Sequence, residues 1–131
     1  MSRGAPLLKA ALLATAVLLA ACGPASTVAP APSIPAGATV LDIKEGDLYI
    51  NPKTTQAAAG PVAFKVVNEA HSAHDLRIQK KGSNSDIGST PMIDGGSSAV
   101  LVVTLAPGTY TLYCGVPGHR SGGMEAELTV T

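Results

Sequence analysis

The sequence predicts an all-β protein, a sandwich of two packed sheets, on three observations. From Thr39 onward, short β-branched runs are separated by Gly, Pro, Asn, Asp and Ser, the punctuation of strands and turns. No apolar period of 3.6 residues is sustained beyond two turns, so the pattern contains no amphipathic helix. About seven or eight such runs fit between Thr39 and Thr131, enough for two sheets whose side chains alternate between core and solvent.

The chain has 131 residues, room for about one domain. A hydrophobic content of 46% with 14% charged residues describes a globular chain, and with no Trp and one Phe its core falls to Val, Leu, Ile and Ala. Nine basic residues balance nine acidic ones with no basic run, which argues against nucleic acid as a partner.

Residues 1–21 stand apart from the fold. Arg3 and Lys9 precede an Ala/Leu/Val run over 10–21 that is too short to span a bilayer and reads as an export signal. It ends in Leu19-Ala20-Ala21-Cys22-Gly23, which resembles the lipobox of bacterial lipoproteins and implies cleavage before Cys22 and acylation of its sulfur. An ordinary signal peptide with an incidental Cys22 is the alternative. Processing leaves seven basic residues against nine acidic ones. Residues 22–38 carry no charge and four prolines, a composition that favours extended, polyproline-like chain and makes a tether. The folded domain is expected over 39–131.

Within it the expected strands are Thr39–Lys44, Asp47–Asn51, Gly60–Asn68, Ala73–Lys80, Ser98–Leu105, Gly108–Cys114 and Met124–Thr131. Residues 82–97, rich in Ser, Gly and Asp, are expected to form a long loop. Period two then sorts the side chains. In the last strand Ala126, Leu128 and Val130 face inward, and Met124 shares their parity. Tyr110 and Leu112 carry Cys114 inward, and Leu76 and Ile78 do the same for His74. Tyr113 points the other way, where it packs on the outer face of the sheet.

Cysteine arithmetic isolates Cys114. If Cys22 is acylated, no disulfide partner remains, and an unprotected thiol in an oxidising compartment is vulnerable. Metal ligation protects it, and the spacing Cys114-x4-His119-x4-Met124 supplies further donors. Zinc takes Met poorly, and iron–sulfur clusters need more thiolates than this chain has. Two imidazoles, one thiolate and a weak thioether suit copper in both oxidation states. Met92 has no supporting spacing and is set aside.

The run Pro107-Gly108-Thr109-Tyr110-Thr111-Leu112-Tyr113-Cys114-Gly115-Val116-Pro117-Gly118-His119, closing at Gly123-Met124, resembles the cupredoxins, small blue-copper proteins. Its four residues between Cys and His are two more than in plastocyanin and closer to the auracyanin and rusticyanin branches. The resemblance covers roughly 39–131 and implies a Greek-key sandwich with Cys114, His119 and Met124 as ligands of one copper ion. It places the other imidazole in a segment like Asn68-Glu69-Ala70-His71-Ser72-Ala73-His74-Asp75-Leu76. Parity and the following Asp75-Leu76 favour His74 over His71. Asp75 is then expected to hydrogen-bond to the Cys114 loop and orient the ligands. The family also implies an apolar docking patch that includes Val116 and Pro117.

The expected function is a one-electron carrier, anchored by lipid at the periplasmic or cell-surface side of a membrane. It would exchange electrons with membrane-associated redox proteins, as a monomer and without enzymatic activity. A copper-sequestering module is the alternative.

Overall fold

The computed structural model describes Met1, Gly23 and residues 29–131. The export signal, Cys22 and part of the tether lie outside the described residues. The described residues contain nine strands: β1 (Thr39–Gly46), β2 (Tyr49–Asn51), β3 (Thr54–Ala57), β4 (Gly60–Asn68), β5 (Arg77–Lys80), β6 (Asp86–Ser89), β7 (Ser98–Leu105), β8 (Gly108–Tyr113) and β9 (Glu125–Val130). They form two mixed sheets, one of order β2-β1-β4-β7 and one of order β3-β9-β8-β5-β6.

Alternation builds the core. On β4, Val62, Phe64, Val66 and Asn68 are buried, while Lys65 and Val67 are exposed. From the opposite sheet Ile78, Leu112, Leu128 and Val130 pack against them, all 2% exposed or less. Those positions are filled by β-branched and long aliphatic side chains that pack well on a pleated surface. Cys114 and Met124 close one end of this cluster, at 1% and 0% exposure.

Two short strands lie outside the expected set. β3 is polar and pairs parallel with β9 at the sheet edge, and β6 falls inside the expected 82–97 loop, pairing antiparallel with β5. Edge strands bury little, so they carry weak alternation. The expected strand over Ala73–Lys80 is shorter, because its first half is held by a single antiparallel bridge between His74 and Ile93. At the end of the tether, Ala29–Pro32 line a groove together with Pro91, Ser98, Ala99 and Val100 of edge strand β7.

Candidate metal centre

The site lies at one end of the sandwich, where two chain segments converge, the loop from Cys114 to Met124 and the segment that carries His74. β8 runs Tyr110, Leu112 and Cys114 inward, and Cys114 N–H then donates to Met124 O at 3.2 Å. The loop from Cys114 to Met124 is wound by its own backbone: His119 N–H donates to Val116 O, Gly122 N–H to Gly118 O and Met124 N–H to His119 O, at 2.9–3.0 Å. Gly118, at φ 83°, supplies the left-handed conformation this winding needs. His74 comes from the other segment, fixed by reciprocal backbone bonds with Ile93 of 3.1 and 2.7 Å.

The three donor atoms form a compact triangle. Cys114 Sγ lies 3.7 Å from His74 Nδ1 and 3.7 Å from His119 Nδ1, and the two nitrogens are 3.1 Å apart. A circle through three points so spaced has a radius of about 2.0 Å, the length of a metal–imidazole bond and a little under a metal–thiolate bond. The three donors are therefore close enough together for a metal ion to reach all of them. Soft thiolate with two imidazoles points to copper. Met124 is fully buried, and its backbone is tied to both Cys114 and His119.

Burial sets the protonation of the donors. It lowers the His74 pKa, with the neighbouring His119 acting in the same direction, which favours the neutral ring whose lone pair can bind a metal. Burial also raises the Cys114 thiol, so binding a metal must displace a proton. His119 is only half-buried, beside the exposed Pro117 and Gly118, and is the donor nearest to solvent.

Three donors anticipated from the sequence, His74, Cys114 and His119, thus meet within 4.8 Å. His71 is exposed and outside the triangle, and Met92 is 53% exposed. Asp75 Oδ1 accepts the Gly115 N–H at 2.6 Å, tying the two ligand segments together. The OH of the outward-facing Tyr113 donates to Asp86.

Sequence reasoning missed Asn68, Lys53 and Arg77. The Asn68 amide donates to Ser72 O and Ile93 O at 2.8 Å each and accepts from Ala70 N–H, stapling the His74 segment to β4. Its signal was available, because Asn68 is a polar residue at an inward position. Lys53 Nζ donates to Gly123 O and Glu125 O, the carbonyls on either side of Met124. Arg77 Nε donates to Asp75 Oδ2 at 2.8 Å.

Comparison with known proteins agrees with this geometry. A family profile described as a cupredoxin-like domain matches residues 10–130. Auracyanin-B of Chloroflexus aurantiacus is 33% identical over 104 residues, which cover 76% of this chain and 44% of that relative, so the chain spans less than half its length. The structure of dithionite-reduced auracyanin from the photosynthetic bacterium Roseiflexus castenholzii superimposes with a TM-score of 0.66 at 26% identity, covering 72% of this chain and 99% of that one. Auracyanin A from Chloroflexus aurantiacus, described as a blue copper protein, shares the fold with a TM-score of 0.64 at 22% identity, over 72% of this chain and all of that one. Two imidazoles and a buried thiol converging at the end of a two-sheet sandwich are what this match predicts, and the chain belongs to the cupredoxins, the blue-copper family.

Proposed function

We propose that this chain is an extracytoplasmic one-electron carrier holding a single copper ion through His74, Cys114 and His119, with Met124 as the weak fourth donor. The observation that carries the reading is the triangle of two Nδ1 atoms and one Sγ, with sides of 3.1–3.7 Å. Bound copper would supply the redox couple, cycling between its +1 and +2 states.

The chain's own part is to keep those donors still. His74 and Cys114 are 1% exposed and backbone-bonded to neighbouring segments, so a change of charge at the site finds a framework that has little room to rearrange. His119, with Pro117 and Gly118 beside it, is the edge a redox partner would approach. The export-type leader and acylation at Cys22 would hold the domain on a 22–38 tether beside membrane-associated donors and acceptors. On this reading the protein is a monomeric carrier without catalysis of its own.

The test is a spectrum. Adding Cu(II) to the metal-free protein should produce an intense visible thiolate-to-copper band that Cys114→Ser abolishes and His71→Ala retains. A colourless Cu(II) complex would refute the carrier and favour copper sequestration.

A further inference from the structure

Arg77 lies directly across from Tyr113 in the β5–β8 register, on the outer face of the sheet. Its guanidinium links two carboxylates. Nε donates to Asp75 Oδ2 at 2.8 Å, and Nη1 reaches Asp86 Oδ2 at 3.5 Å. Each carboxylate in turn holds one neighbour of the Cys114 thiol. Asp75 Oδ1 accepts the Gly115 N–H at 2.6 Å, and Asp86 Oδ1 accepts the Tyr113 O–H at 2.6 Å. The result is a closed ring of contacts, from Gly115 through Asp75, Arg77, Asp86 and Tyr113 back to Cys114, in which Arg77 is the cation that joins the two carboxylates.

Two further observations show that the ring is built tightly. The Asp75 side chain is 6% exposed although it carries a carboxylate, so its charge must be met inside the protein, and Arg77 is the cation that meets it. A Cβ placed on Gly115 would lie 2.0 Å from Arg77 Nε and 2.4 Å from Cζ, so the guanidinium rests directly on the backbone of the ligand loop. The planar fork of Arg suits it to bridging two carboxylates, which an ammonium cannot do with the same geometry.

We propose that Arg77 is a positioning residue of the metal centre: it holds the Asp75 carboxylate on the Gly115 amide and offsets its charge beside the Cys114 sulfur. This rests on the copper reading above. The charge argument has a definite sign. Negative charge near the sulfur favours the more positive Cu(II) state, so loss of the offsetting guanidinium lowers the reduction potential. Loss of the clamp also frees Asp75 from Gly115, and a charge-assisted bond of this kind protects its amide by about tenfold or more in exchange.

The experiment compares Arg77→Gln and Arg77→Lys with the parent in the full chain, after thermal melts establish that all three fold. Gly115 amide exchange is read by NMR in the metal-free protein, and the potential by redox titration of the copper-loaded protein. Arg77→Gln should speed Gly115 exchange by about tenfold and lower the potential, and Arg77→Lys, which keeps the charge, should return the potential most of the way. Unchanged Gly115 exchange in Arg77→Gln, or an unchanged potential, overturns the proposal. Failure to take up copper at all would count against the carrier reading, while the metal-free exchange measurement would still decide whether Arg77 is the clamp.

Discussion

Glu45 offers a sharp test of the packing at the metal-bearing end. It shares the inward parity of Ile43 on β1, is fully buried, and neither of its carboxylate oxygens has a hydrogen-bond partner. Its register neighbour across β4 is Asn68, whose amide is already committed to Ser72, Ile93 and Ala70. Burial, reinforced by the like charge of Asp75, pushes the Glu45 pKa from its ordinary 4.5 to about 7. Between those values the folded protein holds a proton that the unfolded chain has lost, so stability falls as pH rises, and it levels off above about 7. At about 1.4 kcal/mol per tenfold change in proton affinity, the loss is about 3 kcal/mol. Glu45→Gln removes the ionisation while keeping the shape and a buried polar group without a partner. Urea denaturation of the metal-free protein and of this variant from pH 4.5 to 8 should show the variant gaining about 3 kcal/mol on the parent across that range. A stability difference that stays constant with pH would refute the assignment of Glu45 as a buried, unpartnered acid.

Asn68→Ala should destabilise the protein by about 2 kcal/mol or more in the same assay, because the Ala70 N–H and two carbonyls lose their partner, and it should weaken copper binding by loosening the His74 segment. A variant with both properties unchanged would show that the staple contributes nothing. Mass spectrometry of the mature protein should find acyl chains on Cys22, and an unmodified N-terminus elsewhere would leave the domain without its lipid anchor.

Much of the framework was legible in the sequence. Gly60–Asn68 and Ser98–Leu105 emerge in the structure with the same limits as their apolar runs, because both strands send large apolar side chains into the core, Val62, Phe64 and Val66 from the one and Leu101 and Leu105 from the other. β3 and β6 were not legible: Thr54–Ala57 and Asp86–Ser89 lie at sheet edges, where little is buried and almost any residue is accepted. The cluster of His74, Cys114 and His119 was readable for a related reason. Cys114, His119 and Met124 sit at fixed spacing on one loop, and parity placed His74 on the inward face of its own segment.

What the sequence by itself determined is therefore the chemistry: which side chains are soft donors, which faces alternate, and that one thiol has no disulfide partner within the folded domain. Only the tertiary structure decided how charges are met. Arg77 in its strand reads as an ordinary solvated cation, and Glu45 as one acid among nine. Their meaning depends on residues elsewhere in the chain, Asp86 and the distant Gly115 for the one and Asn68 and Asp75 for the other. Electrostatic partnership and desolvation are properties of distance in space, which the order of residues along a strand does not carry.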